Sequence, residues 1–164
     1  MMGFREYMEV PAKRKYVAVQ YDAITQRRLR EWAKQNGFDL TTKYNGEKQD
    51  EKDFDFHTTV FYTATEYSLP NHMRVIAPGG SAKVVGFEML GQNKNIPVLK
   101  VSSPMINRIR QHYAETYGMK DEWPNYIAHV SVSYSKNLPD INKIELPKFE
   151  LTFNQIKVED INDV

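Results

Sequence analysis

The sequence contains no cysteine, which excludes disulfide bonds, thiolate zinc sites and a cysteine nucleophile. It also lacks an excess of either charge, since 22 basic and 21 acidic residues give a formal net charge of +1. Long duplex nucleic acid usually requires a basic protein face, so this balance disfavours such a partner but suits a small ligand with a few phosphates. There is no apolar run as long as a membrane span or a signal peptide. We therefore expect a soluble cytoplasmic protein without membrane contact, for which a monomer is favoured.

The length of 164 residues and the hydrophobic fraction of 41% are typical of a single globular domain, here residues 1–164. Alternating apolar residues predict strands, and two longer amphipathic stretches predict helices. Residues 16–90 read as strand, helix, strand, strand, and residues 96–158 repeat this order with negligible sequence identity. The repeated order predicts an α+β fold in which two pseudo-symmetric β-sheet lobes, with helices outside, enclose a central cleft.

The two predicted helices carry start and stop signals. Asp22 and Ser103 are suitable N-caps, and Gly37 and Gly118 supply left-handed stops. The stretch rich in proline and glycine at residues 67–82 is predicted to be a long loop. The apolar face of the first helix is predicted to consist of Ile24, Leu29, Trp32 and Ala33.

Two of the predicted strands contain the same motif, a histidine followed two positions later by a hydroxyl residue. The first occurs in "DFHTTVFYT" (residues 55–63) and the second in "IAHVSVSYS" (residues 127–135). Alternate residues of a strand point to the same face, about 6–7 Å apart, so each histidine lies beside its hydroxyl residue. Histidine can act as an acid or a base near neutral pH, and the hydroxyl can bind an oxygen of the same phosphate. Such a site needs no metal or cofactor, and its members would be His57, Thr59, His129 and Ser131.

One such motif is weak evidence, because hydroxyl residues often follow a histidine by chance and either histidine alone could be structural. Two motifs at the same place in two equivalent units are much stronger evidence for a shared site. The remaining histidines, His72 and His112, are expected to be a loop residue and a helix residue without a reactive role. Tyr21 and Trp123 are candidates for stacking on a nucleobase, with packing in the core as the alternative for both.

The segments "HTTV" and "HVSV", in a duplicated strand–helix–strand framework over residues 16–158, resemble the 2H phosphoesterase superfamily. The signature of that superfamily is a pair of H-h-[ST]-h motifs, and only Thr58 departs from it, at a position that is usually apolar. Within the superfamily, the chain is most similar to the bacteriophage anti-CBASS phosphodiesterases. These enzymes degrade the cyclic oligonucleotide messengers of a bacterial defence system.

The resemblance implies a LigT-like fold and a metal-independent phosphodiesterase that acts in the cytoplasm of an infected bacterium. His57 and His129 would be the acid/base pair, in an order that stays open, and Thr59 and Ser131 would hold the phosphate. The implied substrates are cyclic di- and trinucleotides of the cyclic GMP-AMP and cyclic tri-adenylate type. Aromatic and acidic residues would grip an adenine, a role for which Tyr21 and Glu159 are the predicted residues here.

Two alternatives are compatible with the same sequence. Another 2H activity, which opens 2′,3′-cyclic ends of RNA or cuts 2′–5′ oligoadenylate, would use the same catalytic residues. A non-catalytic protein that sequesters a nucleotide would belong to a different functional class, although sequestration needs no matched acid and base.

Overall fold

The computed structural model of the protein describes residues 10–122 and 125–161. Two α-helices and six strands make up most of this part of the chain, with two short 3₁₀ helices at Glu51–Asp53 and Ile141–Lys143. The helices are α1 (Ala23–Gln35) and α2 (Pro104–Tyr117). The strands are β1 (Lys13–Tyr21), β2 (His57–Tyr67), β3 (His72–Leu90), β4 (Ile96–Ser102), β5 (His129–Ser131) and β6 (Leu151–Asp160).

The six strands form one sheet in the order β2-β1-β6-β3-β4-β5, and all neighbours are antiparallel. This confirms the predicted α+β class, with one continuous sheet where two lobes were predicted. The long strand β3 belongs to both halves, because residues 72–82 pair with β6 and residues 83–90 pair with β4. Exchanging β1, β2 and β3 with β4, β5 and β6 gives the same strand order read backwards.

The outermost strands of the sheet, β2 and β5, contact one another although they stand at opposite ends of the strand order. The sheet is therefore curled, and its two edges meet. Each of these edges carries one of the histidine motifs, so the curl of the sheet is what brings the two motifs together.

The predicted helix boundaries are confirmed. The Asp22 carboxylate accepts a hydrogen bond of 2.9 Å from the Thr25 backbone N–H, and Gly37 follows the helix with a φ of 82°. The predicted inward orientation of Ile24 is wrong, since its side chain is 56% exposed. Thr25 is buried in its place, because its hydroxyl shares a hydrogen bond with the Thr152 hydroxyl of β6.

The prediction of a loop over residues 67–82 is also wrong, because β3 begins at His72. The glycines that suggested a loop allow β3 to approach β6 closely. A Cβ atom on Gly79 would lie 2.5 Å from the Phe153 carbonyl oxygen, and one on Gly80 would lie 2.5 Å from the Phe153 ring. Glycine therefore lets β3 pack against β6 at this point.

The hydrophobic core lies between the helices and one face of the sheet. Val17 and Val19 of β1 and Val130 of β5 belong to one buried cluster with Leu29 of α1 and Ile106 of α2. In the described part of the chain, neither helix is long and apolar enough to cross a membrane. The histidines and hydroxyl residues of the two motifs lie on the opposite face of the sheet.

Candidate active site

The two motif strands alternate as predicted: the middle residue of each motif faces the core, and the histidine and hydroxyl residue face the other side of the sheet. Thr58 and Val130, the residues between each histidine and its hydroxyl partner, are fully buried on the core side. The four motif residues are partly buried on the other side of the sheet. The register places His57 opposite Gln20 of β1 and His129 opposite Lys100 of β4.

Both imidazole rings are held by the backbone in the same way. His57 Nδ1 lies 3.3 Å from the Asp55 carbonyl oxygen, and His129 Nδ1 lies 2.6 Å from the Ile127 carbonyl oxygen. In the neutral tautomer that donates this bond, Nε2 carries the free lone pair and can accept a proton. His72 makes the same contact with Pro70 at 2.8 Å, so this local geometry alone does not identify a reactive histidine.

The two motif histidines interact with one another. Burial lowers the pKa of His129 most, and the charge of a protonated His57 lowers it further. The hydrogen bond to the Ile127 carbonyl and the negative charge of Glu88 act in the opposite direction, but the net pKa is below the ordinary value of 6.5. His129 is therefore a neutral imidazole at pH 7, which is the form that a general base requires.

A carboxylate accompanies His57. The Asp55 carboxylate lies 3.4 Å from His57 Nδ1 and accepts a hydrogen bond from the Gln20 amide. Burial raises the pKa of Asp55, but the hydrogen bond and the charge of His57 outweigh this effect, so the net pKa is lowered. The sequence contained a signal for this residue, since Asp55 precedes His57 by two positions, but the prediction did not use it.

Each motif hydroxyl is paired with a tyrosine hydroxyl that the sequence analysis missed. Tyr16 of β1 shares a side-chain hydrogen bond with Thr59, and Tyr134 shares one with Ser131. Burial raises the pKa of both phenols, so both remain neutral hydrogen-bond donors. Tyr16 also contacts His57 edge to face, with 5.8 Å between the ring centroids.

The outer edge of β2 is fixed by two side chains that satisfy its backbone carbonyls. Arg110 of α2 donates a hydrogen bond of 2.6 Å to the Val60 carbonyl, and the Tyr126 hydroxyl donates one of 2.7 Å to the Thr59 carbonyl. Val60 is the bulged residue of β2, because Phe61 pairs with Val17 while Thr59 pairs with the next residue of β1.

The Arg110 guanidinium is itself held on three sides. It forms an ion pair with Asp121, and it lies 4.2 Å from the Phe61 ring centroid and 3.9 Å from that of Tyr126. These contacts fix the Arg110 side chain, and through its bond to the Val60 carbonyl they hold β2 in place next to Thr59.

The other predicted site residues have different outcomes. Tyr21 is only 2% exposed, and its hydroxyl lies 2.7 Å from the hydroxyl of Thr58 on the core side. Tyr21 therefore packs in the core, which is the alternative to nucleobase stacking that the sequence analysis gave for it. Glu159 lies on the site side, opposite Tyr16 in the register of β1 and β6, and forms an ion pair of 3.0 Å with Lys157. Trp123 lies outside the described residues.

The acidic and histidine side chains of the described residues form no group that could hold a metal ion. Within residues 10–122 and 125–161, no three His, Asp or Glu side chains come together as metal ligands would. What this part of the chain offers instead is a set of proton carriers and neutral hydroxyl donors.

A comparison with protein families matches residues 13–164 to the family described as anti-CBASS protein Acb1. The chain belongs to this family. The match includes both histidine motifs and the strands that connect them, and it confirms the anti-CBASS part of the resemblance inferred from the sequence. No individual curated protein matches the chain.

Proposed function

We propose that this Acb1-family protein is a metal-independent phosphodiesterase. It cleaves 3′–5′ bonds in cyclic di- and trinucleotides, of the cyclic GMP-AMP and cyclic tri-adenylate type, in the cytoplasm of an infected bacterium. Removal of these messengers counteracts CBASS anti-phage immunity, in keeping with the family of the chain. The observation that carries the proposal is the contact between the edge strands β2 and β5, each of which holds one histidine beside its hydroxyl residue; the charge of His57 also acts on the pKa of His129.

The strand order supports a place in the 2H phosphoesterase superfamily. A sheet whose order is unchanged when its two halves are exchanged is what a duplicated strand–helix–strand–strand unit would produce. The two motifs then occupy equivalent positions, one on each edge strand. Each motif then contacts one side of the same phosphate with one imidazole and one hydroxyl.

The lowered pKa of His129 favours it as the base in the first step. Its Nε2 accepts the proton of a ribose 2′-hydroxyl, and the 2′-oxygen forms a bond to the adjacent phosphorus. The bond from phosphorus to the 5′-oxygen breaks, and a protonated His57 gives its proton to that oxygen. The products are a 2′,3′-cyclic phosphate and a free 5′-hydroxyl, and both histidines have exchanged their protonation states.

The hydroxyls and tyrosines position the phosphate during this step. Thr59 and Ser131 can donate hydrogen bonds to its non-bridging oxygens, and their orientation is set by Tyr16 and Tyr134. Catalysis then depends on orientation and proton transfer. The cyclic phosphate can be hydrolysed in the reverse sense, with water in place of the 5′-hydroxyl.

The test compares the wild type with His57→Gln and His129→Gln on a panel of cyclic di- and trinucleotides in the presence of EDTA. We expect each substitution to lower kcat by about 10²–10⁴-fold, the usual contribution of an acid or base. His72→Gln is the matched control, because His72 has the same ring-to-backbone contact on another strand, and its activity should equal that of wild type. Unimpaired turnover in both variants, or activity that requires a metal, would overturn the mechanism.

Two rival activities are separated by adding an RNA with a 2′,3′-cyclic end and 2′–5′ oligoadenylate to the same panel. If one of these is the substrate, it will be turned over faster than the cyclic nucleotides. If the protein only sequesters nucleotides, denaturation will release the intact cyclic ligand. A cyclic dinucleotide with 2′-deoxyribose on the attacking side should be bound and not cleaved, because the nucleophile is missing.

A further inference from the structure

A cleft of about 620 Å³ opens directly beside His129 and Ser131. This volume is within the range of about 300–1,000 Å³ that is usual for small-ligand sites. We name it the Ile127 cleft. Its lining residues are Leu90, Gly91, Gln92, Ile96, Val98, Asn125, Ile127, His129 and Ser131.

The Ile127 cleft runs along the sheet from the second motif to the turn between β3 and β4. Ser131 of β5 lies opposite Val98 of β4, and Ile96 of β4 lies opposite Leu90 of β3. One end is therefore formed by a residue proposed to hold the phosphate, and the other end by apolar side chains. A ligand whose phosphate lies at Ser131 would place its adjoining group in this cleft.

The chemistry of the lining suits a flat, uncharged ring with polar edges. Leu90, Ile96 and Ile127 provide apolar surface, and Ile127 is 40% exposed, although apolar side chains favour burial. Gln92 and Asn125 add two amides, each of which can both donate and accept hydrogen bonds. Within the described part of the chain, neither the Gln92 nor the Asn125 amide side chain has a hydrogen-bond partner.

Charged groups lie beside both motifs. The Asp55 carboxylate lies beside His57, and Lys100 of β4, which is opposite His129, forms an ion pair of 3.5 Å with Glu88 of β3. Lys100 and Glu88 do not line the Ile127 cleft, which offers apolar surface and amides instead. A nucleobase, whose faces are apolar and whose edges carry donors and acceptors, matches this lining.

We propose that the Ile127 cleft binds the nucleobase of the nucleoside on the His129 side of the scissile phosphate. This inference rests on the proposed phosphodiesterase function and names a subsite for its substrate. With His129 as the base, this nucleoside is the one whose 2′-hydroxyl attacks. The cleft therefore fixes the attacking ribose by holding its base.

The test uses Ile96→Asp, which places a carboxylate at the apolar end of the cleft, away from Ser131 and from the Ile127 carbonyl that holds His129. Ile24→Asp is the matched control, because Ile24 is an exposed isoleucine on α1 that does not line the cleft. Each variant is assayed with a cyclic dinucleotide and with an abasic ribose 3′-(4-nitrophenyl phosphate). The second substrate retains the 2′-hydroxyl and a leaving group but has no base.

We expect Ile96→Asp to raise KM for the cyclic dinucleotide at least about tenfold, with kcat little changed, since a hydrophobic pocket discriminates by this order. Its kcat/KM for the abasic ester should equal that of wild type. Ile24→Asp should equal wild type on both substrates. An unchanged KM, or an equal loss on the abasic ester, would overturn the assignment of the cleft.

Binding measurements separate this inference from the proposed function. The Kd of adenosine 3′-monophosphate and of ribose 3-phosphate is measured by calorimetry for wild type and for Ile96→Asp. Weaker binding of the nucleotide alone, in a protein that cleaves nothing, would support the subsite and refute the phosphodiesterase. Cleavage without any effect of Ile96→Asp on either measurement would refute the subsite and leave the phosphodiesterase intact.

Discussion

A proton on His57 lowers the pKa of His129, although the two residues lie on the outermost strands of the sheet. Such an interaction requires the two rings to be near one another, in keeping with the contact between β2 and β5. The curl that brings β2 against β5 is therefore the structural event that turns two separate motifs into one site.

The first prediction measures the contact between the two imidazoles. His57→Gln removes a positive charge near His129, so the pKa of His129 should rise. Glu88→Gln removes a negative charge that now raises this pKa, so it should fall. NMR titration of the imidazole Cε1–H signals of each variant gives both shifts. His72→Gln should leave the pKa of His129 unchanged, and a rise of the same size in that variant would refute a specific contact.

The second prediction concerns the pH dependence of kcat/KM. A general base must be neutral, so activity falls as the pH falls through its pKa, and the lowered pKa of His129 places this acid limb below pH 6.5. A general acid must be protonated, which adds an alkaline limb and gives a bell-shaped profile for the pair. Initial rates across pH 5 to 9 test this. In His129→Gln the acid limb should disappear from the residual activity, and a flat wild-type profile would contradict two titrating histidines.

Strand alternation was sufficient to predict much of this site. It places Thr58 and Val130 in the core and the histidines on the other face, whatever the rest of the fold does. It could not identify Tyr16, because the partner of a strand residue depends on register. The bulge at Val60 shifts the pairing of β1 and β2 by one residue, and neither strand reveals this shift by itself.

Features that depend on distant contacts were beyond prediction from sequence. Gly79 and Gly80 suggested a loop, but both are required by Phe153, a residue far along the chain. The single sheet, in place of two lobes, follows from the length of β3, which pairs with β6 and then with β4. Helix boundaries were predictable because caps such as Asp22 act within one turn.

The third prediction separates two tyrosines on opposite faces of β1. Tyr16→Phe removes the hydroxyl that orients Thr59, so kcat should fall about tenfold, the cost of a hydrogen bond of about 1.4 kcal/mol. Tyr21→Phe removes a hydroxyl that meets Thr58 in the core, so it should lower the free energy of unfolding by about 1 kcal/mol and leave kcat unchanged. Steady-state kinetics and urea unfolding of both variants test the contrast, and a fall in kcat for Tyr21→Phe would contradict it.

The Tyr16 prediction can be sharpened with a double-mutant cycle. If the Tyr16 hydroxyl acts only through Thr59, then Tyr16→Phe should have little further effect in a Thr59→Val background. Additive losses in kcat would mean that Tyr16 contacts the substrate itself.

The fourth prediction concerns the support of the motif strand by Arg110. Arg110→Ala breaks the bond to the Val60 carbonyl and leaves Asp121 without its ion-pair partner, so the free energy of unfolding should fall by about 2–3 kcal/mol. Lysine should rescue only part of this loss, because it cannot form the planar contacts with Phe61 and Tyr126. Urea unfolding measures the effect.

The control for Arg110 is Arg108, an exposed arginine on the same helix, whose replacement by alanine should change stability by less than about 0.5 kcal/mol. Arg110→Ala should also lower kcat at a temperature where it remains folded, since Val60 follows Thr59 directly. A stable Arg110→Ala variant, or equal effects at both positions, would show that α2 does not hold the motif strand.

The fifth prediction concerns a buried cation that joins β1 to β6. Lys15 is only 2% exposed, and its ammonium donates hydrogen bonds to Asp160 and, at 3.3 Å, to Asn71. Asp160→Asn would leave this ammonium without a counter-charge and should lower the free energy of unfolding by about 2–3 kcal/mol. Lys13 forms only an exposed contact of 3.9 Å with the same carboxylate, so Lys13→Met should cost less than about 0.5 kcal/mol.

The same pair predicts how stability varies with pH. The hydrogen bond from Lys15 is the largest cause of the lowered pKa of Asp160, so the folded protein holds this carboxylate in its charged form. The unfolded chain binds the proton more readily, and the stabilisation is therefore present at neutral pH and lost as the pH falls through the lowered pKa. Urea unfolding at pH 7 and pH 3.5 should show this loss in wild type and a smaller one in Asp160→Asn. The double variant Lys15→Met/Asp160→Asn should be more stable than Asp160→Asn alone, because it removes the unpaired cation, and a further loss of stability would contradict this account.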